Sequence, residues 1–214
     1  LNAGFGTTQK SKTTISEGLQ SATGAVEVAG LVTGQKVTFT MDDDSSVTAL
    51  EHVSIPIKLA SGANAVNLSE TLSSVRYFSK SLSYDNIYKG VVFNTTGNGA
   101  FSNVKEAITK ADADNICDYT SGNPSKADNT CAFIWFSNIV GAQNKILDGG
   151  EVAVLTIIFK AVDNDAGGPD GQINEHERPK QNDKLHIEFV PPVGSVLTVE
   201  RSVPVLTTDV VNLG

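Results

Sequence analysis

Long apolar runs are missing from this sequence. None reaches the roughly 20 consecutive apolar residues that a transmembrane helix needs. No secretory leader opens it either, so the chain reads as mature, truncated or cytosolic. Basic charge is short as well: 16 Lys and Arg stand against 24 Asp and Glu, a net charge of −8. With no basic stripe to displace counterions, nucleic acid is not an expected partner. The three histidines, His52, His176 and His186, lie far apart in sequence. No nucleophile elbow, zinc-protease helix or phosphate-cradling glycine loop occurs. Asn98-Gly99 sits in a glycine-rich turn with no helix read directly after it. Only a carboxylate pair assembled in space would leave room for glycoside hydrolysis, so the expectation is a protein that is not an enzyme.

What is present is a chain of 214 residues with alternating apolar runs. That length can bury a sizeable core, and all-β chains of this size often form single domains. Period-two runs begin at Ala25 and recur through Val32, Lys36–Met41 and Val47–Ala60. In the last of these, Val53, Ile55, Ile57 and Leu59 alternate with Ser54, Pro56 and Lys58, the pattern of a half-buried strand. Pro56 lacks a ladder donor, which predicts an edge or a bulge there. Cys131–Val140 carries aromatics on both sides of the alternation, and Glu151–Val162 is apolar on both faces, so both belong mid-sheet. Asn103–Ala111 has the spacing of a short helix, and the Asp, Asn, Ser and Gly that follow read as a surface loop. The expected fold is mostly β: an antiparallel Ig-like β-sandwich with a short N-terminal helical stub.

The stub is Leu1 to Thr23. Leu1, Phe5, Ile15 and Leu19 fall on one helical stripe, while Gly4, Gly6 and Gly18 weaken it. An isolated helix of under about 15 residues is marginal in water, so this segment should be helical only where something holds it. Two cysteines, Cys117 and Cys131, bracket a polar stretch. A disulfide between them suits an oxidising compartment and would contribute roughly 3 kcal/mol; two free thiols, with Cys131 buried in its strand, are the alternative. Asp163, Asp165, Asp170, Asn174 and Glu177 form an oxygen-rich segment. Asp170, Gly171, Ile173 and Glu177 match the second half of an EF-hand loop. The first half fails, since Ala166 and Gly168 occupy ligand places, and Asp163 and Asp165 serve only if the loop bulges. Asp112, Asp114 and Asp118 are a second, weaker cluster. A structural calcium is therefore the one cofactor the residues suggest, and none is required; solvated acidic loops are the plain alternative. Asn67-Leu68-Ser69 and Asn94-Thr95-Thr96 are N-glycosylation sequons, whereas Pro124 blocks Asn123.

Three stretches carry a resemblance. Leu1-Asn2-Ala3-Gly4-Phe5, with the Thr/Gln/Lys/Ser-rich segment after it, resembles the end of the N-terminal helix of archaellins, the archaeal flagellin subunits. Pro191-Pro192-Val193-Gly194-Ser195-Val196-Leu197-Thr198-Val199-Glu200-Arg201, followed by Val203-Pro204, is similar to their C-terminal strand pair. Ile146-Leu147-Asp148-Gly149-Gly150-Glu151 leads into an apolar strand as theirs does. Roughly Leu82 to Thr130 matches nothing. The resemblance implies that a hydrophobic helix, processed by a type IV prepilin-like peptidase, precedes Leu1 and packs in a filament core. Residues 1–23 would be its lower end and 24–214 an outward-facing sandwich. It implies a structural subunit of an extracellular swimming filament, whose partners are copies of itself or related subunits. The membrane would matter only before assembly. It also raises the expectation of glycans on Asn67 and Asn94. The rival reading is a secreted calcium-binding carbohydrate-binding or adhesion sandwich.

Overall fold

The computed structural model describes residues 25–41, 43–117, 127–162, 173 and 175–214. The expected stub over Leu1 to Thr23 lies outside them.

A larger sheet contains seven strands: β1 (Val26–Val28), β2 (Thr33–Thr40), β3 (Ser46–Leu59), β7 (Tyr88–Val92), β8 (Cys131–Asn138), β10 (Val152–Ile158) and β15 (Val210–Asn212). Their order is β15-β2-β3-β10-β8-β7, and β1 shares an edge of β3 with β2. A smaller sheet has β5 (Ser74–Phe78), β6 (Ser83–Tyr84), β13 (Lys184–Val190) and β14 (Leu197–Ser202), in the order β14-β13-β5-β6. Two short pairs complete the strands, β4 (Val66–Asn67) with β9 (Ile146–Leu147), and β11 (Ala161–Val162) with β12 (Glu175–His176). One helix, α1 (Val104–Ala113), is present among the described residues.

The apolar runs explain this layering. In β8, Ala132, Ile134 and Phe136 point into one core while Cys131, Phe133 and Trp135 point into another. In β10, Ala153, Leu155 and Ile157 join the first core, Val154 and Ile158 the second. The first core is closed by the smaller sheet, through Tyr77, Ile187, Phe189 and Val199. The Tyr77 and Phe159 rings lie 5.4 Å apart across it. The second is closed by α1, through Ala107, Ile108 and Ala111, with Phe101 edge-on to Trp135 at 6.0 Å. Both strands are thus mid-sheet, β10 lying between β3 and β8. Thr156, the polar residue on the α1 side of β10, is satisfied by Ser54 Oγ at 3.3 Å and Trp135 Nε1–H at 2.9 Å.

Two expectations change. Pro56 is neither at a sheet edge nor in a bulge of β3, which runs unbroken for 14 residues through the sheet interior. It sits at a seam. Thr33 of β2 pairs with Ser54, and Val28 of β1 with Ile57, so neither strand reaches across from Pro56 for a donor. The Pro56 carbonyl still accepts from Ala29 N at 2.8 Å. The proline therefore costs no ladder bond. The second change is that β7 runs parallel to β8. A parallel neighbour needs a long crossover, and the segment that matched nothing supplies it, with α1 inside. Asn103 caps α1, its Oδ1 accepting from Glu106 N at 3.0 Å while Glu106 Oε1 accepts from Asn103 Nδ2 at 2.8 Å. The first bond satisfies a backbone donor that a helix start leaves open, and the second holds the capping side chain in place.

Cys117, just past α1, is bonded to Cys131, the first residue of β8, with Cα atoms 6.1 Å apart. The link closes a loop spanning 14 positions and pins the end of α1 to the sheet it covers. The loop-entropy relation assigns about 3 kcal/mol to it. Replacing both cysteines by serine should lower the denaturant-unfolding free energy by about that amount. A change near zero would mean that α1 holds its place unaided.

Candidate modification, ion and contact surfaces

Asn94 begins a turn after β7. Its Oδ1 accepts from Thr96 N at 3.1 Å and Thr96 Oγ1 at 2.9 Å, and its Nδ2 donates to Ala100 O at 3.1 Å. Asn98 Nδ2 ties the same turn to Ile139 O at 3.2 Å. Asn67 ends β4. Its Oδ1 accepts from Ser69 N at 2.9 Å, and Ser69 Oγ turns instead to Thr71 Oγ1 at 3.0 Å. Both asparagines are half-buried. The two sequons therefore differ: the hydroxyl of the third residue meets the asparagine carboxamide only at Asn94.

Of the expected calcium ligands, Asp163, Asp165, Asp170 and Asn174 lie outside the described residues. Glu177 is described, and both of its oxygens are engaged. Oε1 accepts from Tyr84 O–H at 2.5 Å and Oε2 from Thr130 Oγ1 at 2.6 Å. Burial and the adjoining carboxylate push the Tyr84 phenol up to about 12. A bidentate grip on calcium would compete with both bonds. Asp118 of the second cluster is also outside the described residues, while Asp114 pairs with Lys110 along α1. Among the described residues, no group of three acidic, His or Cys side chains could hold a metal.

Next to Glu177 is a small cavity of about 220 Å³ lined by Lys80, His176, Arg178, Lys180 and Asp183 among others. Arg178 is 3% exposed and lies over the Phe39 ring, 4.8 Å from its centroid. Burial lowers its pKa to about 10, against the pull of Glu51, so it remains a cation at neutral pH. The histidines are dispersed. His52 is buried in β3 beside Glu51, and His176 packs edge-on to Phe39 at 5.0 Å. His186 stands on β13 between Glu200, 2.8 Å from Nδ1, and Glu188, 3.0 Å from Nε2.

Sequence patterning missed one surface. β3 ends at Leu59 where β1 begins, β10 begins there, and β8 ends there. The β13–β14 turn reaches the same end: a Cβ on Gly194, whose φ is +91°, would lie 2.6 Å from Ala25 Cβ. Val193, exposed by 62%, and Val196 flank this glycine. Leu72 precedes Ser74, the partner of Val190, and Ile146 pairs with Asn67. Val140 follows β8 and overlies Gly150. Five of the eight exposed large apolar side chains among the described residues thus lie in segments at the end where Ala25 joins residues 1–24, while Leu31, Val205 and Val210 are exposed elsewhere. Single exposed valines carry no signal in a sequence; only the register brings them to one rim.

The sequence model of the archaeal-type flagellin family matches residues 1–201. The chain is 28% identical over 206 residues to a probable flagellin 1 of Aeropyrum pernix, spanning 95% of this chain and 79% of that protein. It shares its fold with the archaeal flagellin FlaB1 of Methanocaldococcus jannaschii, with a TM-score of 0.54 and 17% identity over 88% of this chain and 95% of that one. A weaker likeness is to the archaeal flagellum of Methanospirillum hungatei, with a TM-score of 0.44 and 15% identity over 94% of this chain and 79% of that one.

The His186 cluster yields a pH dependence. Hydrogen bonds to Glu188 and Glu200 raise the His186 pKa, and the one to His186 lowers that of Glu188. A raised histidine contributes stability below its unfolded value near 6.5, lost as pH climbs through the folded value; a lowered glutamate contributes above about 4.5, lost as pH falls. Both contributions overlap between those limits. The urea midpoint of His186→Gln should therefore fall furthest below the parent near pH 5.5 and approach it at pH 9. His176, lowered by burial, has the opposite slope but is common to both proteins and cancels. A pH-independent gap would show that His186 acts by packing on Phe78 alone.

Proposed function

The chain belongs to the archaeal-type flagellin family, and we propose a division of labour within it. The protein is a structural subunit of the archaellum, the extracellular swimming filament of archaea. Archaeal-type flagellins are structural rather than catalytic, and we infer the same of this chain. In the proposed division, residues 1–23 hold copies together, and residues 24–214 face outward as the sandwich.

The observation that carries the reading is the apolar rim. A soluble monomer has no need to gather Leu72, Val140, Ile146, Val193 and Val196 at one end. A subunit anchored through residues 1–24 has that need, because this end then faces its neighbours. Covering a Val or Leu side chain is worth about 1.5–3 kcal/mol when complete. Multiplied along a polymer, even partial burial fixes the tilt of the sandwich against the core. The partners are accordingly copies of this chain or closely related subunits.

Of the two sequons we propose Asn94 as the modified one, supported by the Thr96 hydroxyl on its carboxamide. Asn67 shares the rim with Ile146, where a glycan would compete with a neighbouring copy. For the segment 163–177 a calcium ion remains a proposal supported by residue type alone. If it binds, calcium added to chelator-treated protein should raise Tm by several degrees, and an unchanged Tm would remove the proposal.

The rim is tested in the full-length protein by the double substitution Leu72→Asp and Val193→Asp. Both positions are exposed, so Tm of the dispersed subunit should move little, the expectation for surface changes of about 0.5 kcal/mol each. The sedimentable filament fraction should drop at least tenfold. Normal filaments from the variant would refute the role of the rim.

A further inference from the structure

The turn bearing Asn94 opens onto a groove along α1. The groove has a volume of about 720 Å³, and its walls include Asn94, Thr96, Ser102, Lys105, Thr109 and Lys110. Clefts of roughly 300–1,000 Å³ hold ligands of drug size, the scale of a short oligosaccharide. We propose that an N-linked glycan on Asn94 lies in this groove, with its first sugars packed along α1 and an anionic sugar meeting Lys105 and Lys110. The inference rests on Asn94 being a glycan acceptor.

Three features of the groove fit that occupant. The first is the aim of the acceptor. Asn94 Oδ1 is held by Thr96 N and Thr96 Oγ1, which fixes the plane of the carboxamide, and Nδ2 spends one hydrogen on Ala100 O at 3.1 Å. The second Nδ2 hydrogen remains for substitution. A new bond joins Nδ2 to the anomeric carbon of a lipid-phosphate-linked sugar. Nδ2 gives up one proton, and the lipid phosphate departs with the electron pair of the broken C–O bond.

The second feature is the wall chemistry. Hydroxyls and amides of Ser102, Asn103 and Thr109 line one side, as a sugar surface requires. Glu106 shares the wall, and its carboxylate accepts from Asn103 Nδ2 and Ser102 N. Lys105 is exposed, and Lys110 is paired with Asp114 in a surface ion pair; such pairs are worth little and readily share a partner. On a chain with a net charge of −8, two lysines one and a half turns apart on a groove wall favour an anionic guest.

The third is placement. The Asn94 turn stands at the corner where the rim meets the α1 face, tied to Ile139 next to Val140. A glycan running freely from that corner would sweep the rim and hinder packing of copies. A glycan laid along α1 leaves the rim clear and shields a helix that buries only Ala107, Ile108 and Ala111.

The test compares protein from native filaments with the same sequence made in a host that lacks N-glycosylation. Glycopeptide mass spectrometry reads occupancy of Asn94, and hydrogen exchange reads the amides of residues 104–113. The expected result is an occupied Asn94 and about tenfold slower exchange in α1 of the native protein, with β10 amides alike in both. Lys105→Glu expressed in the native host should keep occupancy and lose most of that protection. An unoccupied Asn94 overturns the acceptor reading and the groove with it. An occupied Asn94 with α1 exchange identical in the two proteins overturns the groove alone.

Discussion

Two strands with apolar side chains on both faces set the terms for the rest of this molecule. β8 and β10 cannot leave either surface to water: Ile134, Phe136, Leu155 and Ile157 lie on one side, Phe133, Trp135 and Ile158 on the other, all buried. One covering is the four-stranded sheet. The other has to come from elsewhere in the chain, and it comes from the segment between β7 and β8, folded as α1. β7 and β8 run parallel, so the chain between them has to cross over, and α1 lies in that crossover. The disulfide then fastens the returning chain at the point where the second core begins.

The same arrangement makes the two ends of the sandwich chemically different. The far end gathers buried Thr130 and Arg178 with half-buried Tyr84 and Glu177; the Glu177 carboxylate accepts from the Tyr84 and Thr130 hydroxyls, and Arg178 lies over the Phe39 ring. Such groups are held because leaving them unpaired in a dry site is costly. The end near Ala25 carries turns instead, and several expose apolar side chains. In a filament subunit this polarity has a use. In the assembly proposed above, the polar end faces outward and the apolar end faces the core. Flanking both, α1 forms a third surface that is polar, grooved and beside a sequon.

Membership of the archaeal-type flagellin family gives this asymmetry its direction. The family match includes residue 1, and in the assembly proposed above residues 1–23 tether the domain at one end. A sandwich tethered at one end is still free to swing about its attachment near Ala25. Gly194 presses its turn against that joint with no room for a side chain. Contacts made there act on a short lever and resist the swing only weakly, whereas contacts spread over the rim act on a longer one.

Alternation within a strand is a local property, and it was enough to place β8 and β10 mid-sheet; helical spacing marked the helix beginning near Asn103, and short motifs near both chain ends carried the resemblance to the family. The sequons and the cysteine pair were legible for the same reason, since each depends on neighbours in the chain. Pro56 was misread because its missing donor matters only relative to which strand lies opposite, and the end of β1 and start of β2 leave that place empty. The parallel pairing of β7 was likewise invisible, because strand direction is set by the path of the crossover. The partners of Glu177 come from Tyr84 and Thr130, 93 and 47 positions away, and no spacing rule reaches that far. The apolar rim is the extreme case: five unremarkable side chains from three turns and a short strand become one surface only when register brings their ends together. Periodicity determined which faces are apolar; only the tertiary structure decided which faces meet, because that depends on long-range closure that single residues do not encode.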